Sequence, residues 1–141
     1  MSISLIDVSE LKRADSCTCR TIVDALGETA RTYGFFRICG HGIDPDLIEA
    51  TYAMAERFFA RPEAEKRNYY IGKSSNHRGY VPFSEKGHYA DEVQRNYEAF
   101  DLGIETPWED LGPRRGRLLV GPNIWPDIEG FRDVVSRTLA R

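Results

Sequence analysis

Three histidines, His41, His77 and His88, set the first limit on the chemistry of this 141-residue chain. A non-haem iron site of the two-His-one-carboxylate type places three ligands on one octahedral face. When it sits on a strand, the first His and the carboxylate lie two residues apart, so that both side chains point the same way. Here His41 has Asp44 three residues on, His88 has Asp91 three residues on, and no His follows His88. No metal ligand set is therefore assigned. Cys17, Cys19 and Cys39 offer only a one-residue spacing and a distant third thiol, which does not suit structural zinc. Gly72-Lys73-Ser74 resembles the end of a phosphate loop, but Arg67 occupies the position of the required first glycine. Neither Ser74 nor Ser75 sits between glycines as a nucleophile elbow demands. No catalytic residue is assigned.

Binding chemistry has more to work with. His77-Arg78-Gly79-Tyr80 can present a fork of donors to a carboxylate, with an aromatic ring beside it. Arg78 and Tyr80 are the candidate substrate-binding residues. Arg114-Arg115-Gly116-Arg117 is a local basic cluster, better read as a solvated loop than as an anion site. With 19 basic against 22 acidic residues the net charge is -3, which carries no electrostatic footprint for nucleic acid. The longest aliphatic run, Leu118 to Val120, is far too short to span a bilayer. The first ten residues lack a basic stretch followed by an apolar one, so the expected location is cytoplasmic, with no membrane partner.

The elements around these residues follow from periodicity. Ser2 to Val8 alternates weakly and predicts a short strand. Ile22, Leu26, Ala30 and Tyr33 form one stripe of a helix from about residue 18, and Gly34 stands where a left-handed C-terminal cap belongs. Phe35 to Cys39 predicts a strand running into a Gly40-His41-Gly42 turn. Asp44-Pro45 marks a helix start, and the helix ends near Arg61-Pro62 before a further turn over 62–66. Periodicity fails from Tyr69 to Arg95, a long stretch of the functional or mobile kind. Tyr97 to Leu102 predicts a strand, 106–116 a loop, and 127–141 a helix with Phe131, Val134, Val135 and Leu139 on one side. Taken alone, the residues describe a globular α+β domain without an active site of its own.

The order of segments resembles a known family. Ile6-Asp7-Val8-Ser9, the Gly34-Phe35-Phe36 to His41-Gly42-Ile43 segment, and Phe58-Phe59 followed by Pro62-Glu63-Ala64-Glu65-Lys66 are similar to segments of the isopenicillin N synthase-like oxygenases. Arg78-Gly79-Tyr80, Glu98 to Gly103 and Gly121 to Pro126 follow in the same order. These are non-haem iron, mostly 2-oxoglutarate-dependent enzymes. The resemblance is to their N-terminal region, residues 1–126 here, with 127–141 as the start of a helix leading into the catalytic domain.

The resemblance implies an α+β N-terminal helix-and-strand region of a double-stranded β-helix (jelly-roll) oxygenase, with the jelly-roll core absent from this chain. Fe(II) and 2-oxoglutarate are implied for the complete protein and for none of the residues present. The implied reaction is hydroxylation, desaturation or cyclisation of a small molecule. The chain is then a non-catalytic piece, partnered by the missing jelly-roll domain or by self-association through an uncovered face. The alternative is a stand-alone binding or interaction module derived from the family. The resemblance also implies that His41 belongs to a structural turn, that Trp125-Pro126 is a packing anchor, and that His77 to Tyr80 border the substrate cavity.

Overall fold

A computed structural model describes residues 3–12, 16–83, 97–114 and 119–140. His88, Asp91 and Arg115 to Arg117 of the basic cluster lie outside the described residues. The chain divides into two compact units, Met1–Ile43 and Asp44–Arg141.

The first unit is a strand–helix–strand element. Strand β1 (Leu5–Asp7) pairs in parallel with β2 (Arg37–Cys39), placing Ile6 opposite Ile38. A parallel pair needs a crossover, which helix α1 (Ser16–Tyr33) supplies. β1 is shorter than its apolar run suggests, and Ile6 is its one buried residue, between exposed Leu5 and Asp7. Gly34 ends α1 at φ +78°, donating its N–H to the Ala30 carbonyl at 2.8 Å, as a left-handed cap does.

The turn after β2 explains two residues of the Gly40-His41-Gly42 signal. Asp7 Oδ1 accepts the Ser9 N–H at 2.9 Å, and Gly40 at φ +69° lies against both residues, where any Cβ would collide. That bond, with a second from the Ser9 side chain, holds the Asp7 carboxyl below its ordinary pKa. His41 Nδ1 accepts the Ile43 N–H at 3.1 Å, so the ring closes its own turn.

The second unit starts at helix α2 (Pro45–Phe59), capped by Asp44, whose Oδ1 accepts the Asp46 N–H at 3.0 Å. Pro45 occupies the first turn, where its missing N–H removes nothing. Helix α3 (Glu63–Lys66) follows, then two 3-10 turns, Arg67–Tyr69 and Ile71–Lys73. Strand β3 (Gly79–Val81) pairs antiparallel with β4 (Ala99–Asp101), Tyr80 opposite Phe100. Two further 3-10 turns lie within Trp108–Arg114, separated by a kink at Gly112 (φ +46°), and helix α4 (Phe131–Leu139) closes the described chain.

From Tyr69 on, β3 and the 3-10 turns depart from the expectation of an unpatterned stretch. β3 escapes a periodicity search because it is three residues long and buried throughout, so nothing alternates. The 3-10 turns escape it because segments so short have no stripe to read.

The core is aromatic. Phe58, fully buried on α2, has the rings of Phe59, Tyr69, Tyr80, Phe100 and Phe131 at centroid distances of 4.8 to 6.4 Å, mostly edge-on. Ile128 and Val135 complete it, and Trp125 packs against Phe131 at 6.4 Å. α4 lies along α2, with Thr51 and Thr138 hydroxyls 2.7 Å apart. Arg57 in the last turn of α2 and Arg61 just beyond it reach the carbonyls of Glu129 and Asp127 at 3.2 and 2.8 Å. On α4 the apolar side is narrower than expected: Phe131 and Val135 are buried, whereas Leu139 is exposed.

Candidate functional site

The segment Ser74 to Tyr80 brings both candidate binding residues together through a turn built on Ser74. Its Oγ accepts the N–H groups of Asn76 and Arg78 at 3.3 and 3.1 Å and donates to Asn76 Oδ1 at 2.6 Å. Asn76 Nδ2 donates to the Pro122 carbonyl at 3.0 Å. His77 has a left-handed backbone, φ +55°, and an exposed side chain. Gly79 at φ +119° backs onto the Tyr69 carbonyl, which excludes a side chain there.

Arg78 is only 7% exposed, and its guanidinium is turned into the protein. Nη1 donates to the carbonyls of Asn76 and His77 at 3.3 and 3.1 Å, and Nη2 to that of Leu119 at 2.6 Å. Gly103 lets the guanidinium approach the backbone closely, since a Cβ there would collide with it. Its Nε is buried and has no acceptor among the described residues. A buried guanidinium bonded to carbonyls is a tie between chain segments; contact with a ligand carboxylate would require it to exchange those bonds.

Tyr80 is fully buried and points the other way, into a second polar cluster. Its hydroxyl donates to Glu98 Oε2 at 2.6 Å. Lys66 Nζ donates to the same oxygen at 2.6 Å and to the Phe59 carbonyl at 3.1 Å, and lies 5.4 Å from the centre of the Tyr80 ring. Burial raises the Tyr80 pKa well above its ordinary value, reinforced by the bond to Glu98 and the negative charge of Glu98 and Glu63.

Neither Lys66 nor Glu98 was singled out by residue type, because a Lys or Glu in an amphipathic context is ordinarily solvated. Asn123 is a third such residue: buried, it bonds Gly103 and Glu105 through its side-chain amide.

The described residues do not fit an iron site. Among them no three His, Cys, Asp or Glu side chains converge. The Nδ1 lone pair of His41 is occupied by its own turn, and His77 stands alone on the surface. Arg78, the one buried guanidinium among them, is engaged with carbonyls, so they offer no evident cradle for 2-oxoglutarate either. No helix among them is long and apolar enough to cross a membrane.

Residues 3–128 match the family described as non-haem dioxygenase in morphine synthesis, N-terminal. The chain belongs to that family. This dioxygenase N-terminal domain is 32% identical to a 2-oxoglutarate-dependent dioxygenase of Phoma sp, over 99% of the chain and 46% of the relative. It is 30% identical to a 2-oxoglutarate-dependent dioxygenase of Monascus ruber, over 88% of the chain and 37% of the relative. The chain thus spans less than half the length of these curated relatives.

Solved structures agree on the fold. A Caulobacter crescentus protein described as belonging to the 2OG-Fe(II) oxygenase family superposes with a TM-score of 0.67 at 27% identity, over 97% of this chain and 42% of that one. A full-length Neurospora crassa protein, solved in complex with alpha-KG, superposes with a TM-score of 0.66 at 22% identity, over 96% and 41% respectively. The mixed helix-and-strand domain is therefore the N-terminal part of the oxygenase fold.

Proposed function

We propose that this chain is the N-terminal portion of an Fe(II)- and 2-oxoglutarate-dependent oxygenase that hydroxylates, desaturates or cyclises a small molecule in the cytoplasm. The observation that carries this reading is the family match over residues 3–128, in relatives more than twice as long as the matched stretch. The catalytic jelly-roll core, the iron ligands and the 2-oxoglutarate site belong to sequence outside residues 1–141. Residues 1–126 are the N-terminal domain, and 127–141 lead towards the catalytic one.

In that enzyme the iron and co-substrate supply oxygen activation. The share of this chain is to cover one side of the pocket, exclude water and hold the substrate-side backbone in place. Arg78 and Tyr80 border the substrate cavity and act on the substrate through the placing of residues 77–81. Their inward hydrogen bonds support that role. Apolar side chains left exposed, Leu5 and Phe35 in the first unit and Ile104 at 79% in the second, are surface for the jelly-roll domain to cover. Without that domain they favour self-association.

The test is the intact mass of the native gene product together with its 2-oxoglutarate consumption in the presence of Fe(II). A product of at least about double 16.1 kDa that consumes 2-oxoglutarate, while residues 1–141 alone do not, is the expected result. A native product of 16.1 kDa without that activity overturns the reading.

A further inference from the structure

We propose that Lys66 is a positioning residue for the strand that carries the substrate-side segment: acting through Glu98, it fixes the Tyr80 phenol and with it the register and depth of β3. The functional meaning rests on the preceding reading, that residues 77–81 border the substrate cavity. The geometry itself does not.

Three segments distant in sequence meet at one atom. Glu98 Oε2 accepts Lys66 Nζ from the end of α3 and the Tyr80 hydroxyl from β3, each at 2.6 Å, while Glu98 itself leads into β4. Lys66 is 5% exposed, and burial of an ammonium is unfavourable unless paired. Its bonds to Glu98 and to the Phe59 carbonyl provide that pairing. Apolar side chains of similar volume would satisfy the same space, often with equal or greater stability. They would not define one position along the strand, because apolar contact has no direction, whereas two hydrogen bonds to one oxygen do.

β3 has particular need of a fixed position. It is three residues long, is paired with an equally short β4 on one side and by only a single parallel bridge, Tyr80 to Tyr70, on the other, and begins at Gly79, whose φ of +119° adds flexibility before folding. A one-residue slip in such a ladder would turn Tyr80 out of the aromatic core and Gly79 into it. Tyr80 sits two residues beyond Arg78, so fixing the phenol also fixes where the Arg78 guanidinium can reach the Leu119 carbonyl. Other charges near the cluster do not replace Lys66: Glu63 and Arg67 are exposed and paired with each other at 2.6 Å.

The experiment is amide hydrogen exchange, residue by residue, on the 141-residue chain and its Lys66→Met, Lys66→Arg and Tyr80→Phe variants. Lys66→Met keeps most of the aliphatic stem and removes only the ammonium. The expected result is exchange at the β3 and β4 amides at least about tenfold faster in Lys66→Met and Tyr80→Phe, with α4 amides within about twofold of the parent. Lys66→Arg restores part of the protection, and the double variant Lys66→Met/Tyr80→Phe is no faster than the worse single one.

Equal acceleration in α4 would make Lys66 a general contributor to the core and overturn the proposal. Unchanged exchange in β3 and β4 would overturn it as well. Should Lys66→Met not fold, Tyr80→Phe, which removes a single hydroxyl, decides between the same outcomes. The readout involves neither iron nor substrate, so its failure is separate from failure of the oxygenase reading.

Discussion

The side-chain amide of Asn123 pairs with the backbone of Gly103 in both directions. The Gly103 N–H donates to Oδ1 at 2.9 Å, and Nδ2 donates back to the Gly103 carbonyl at 2.8 Å. In effect a side chain takes the place of a neighbouring strand just beyond β4. The second Nδ2 proton goes to Glu105 Oε2 at 2.7 Å, and the Asn123 N–H reaches the same oxygen at 3.0 Å. Asn123→Ala is expected to destabilise the chain by about 1–2 kcal/mol, since it strands the half-buried backbone groups of Gly103. Asn123→Asp is expected to be worse, because it replaces two donors with an acceptor facing a carbonyl and a carboxylate. Urea unfolding midpoints of the two variants check both statements.

Arg78 and Gly103 form a second coupled pair. Arg78→Met is expected to destabilise by about 3 kcal/mol by leaving the carbonyls of Asn76, His77 and Leu119 without their donor. Arg78→Lys should recover less than half of that, because one ammonium cannot reproduce the planar fork. Gly103→Ala would push a methyl group against the guanidinium and displace it from those carbonyls. In the Arg78→Met background the same substitution should be close to neutral. A double-mutant cycle by equilibrium unfolding reads this coupling directly, and additive effects would contradict it.

Alkaline stability should depend on Tyr80. Its folded-state pKa is raised, first by burial and then by Glu98. The unfolded chain releases a tyrosine proton near pH 10, whereas the folded chain retains that of Tyr80. The native state then binds more protons, so the stabilisation present below about pH 10 is lost progressively as pH rises beyond it. Unfolding midpoints between about pH 9 and pH 11 should fall more steeply for the parent than for Tyr80→Phe. Parallel curves would show that another group governs the alkaline limit.

Phe58 is the single side chain on which most of the core contacts converge. Phe58→Ala is expected to cost about 3–5 kcal/mol, the range for losing a buried aromatic and leaving a cavity. A crevice of about 150 Å³ already opens beside Phe58, Phe100 and Phe131, which leaves little scope for collapse around a further void. Loss of a cooperative thermal transition in this variant, with Phe59→Leu retaining one, is the outcome to look for.

The contrast between Asp44 and Glu98 shows what a reading of the residues can reach. Asp44 caps α2 through Asp46, and Gly34 ends α1 through Ala30, both within a few residues along the chain. Arg78 and Tyr80 stand out as chemically able side chains for the same local reason. Their residue types do not show where their polar ends go: Arg78 turns to Leu119, and Tyr80 to Glu98. β3 is invisible to periodicity because its partner, not its own pattern, makes it a strand.

Composition, the two helix caps, the stripe on α1 and the order of short segments were enough to determine an α+β domain and its family. Each depends on chain-local geometry, or on comparison along the chain. The burial of Lys66, the pairing of Asn123 with Gly103 and the inward turn of Arg78 were decided only by tertiary structure. Hydrogen bonds between residues 20 to 41 positions apart leave no periodic trace, and a lysine or arginine reads as solvated until three dimensions give it a buried partner.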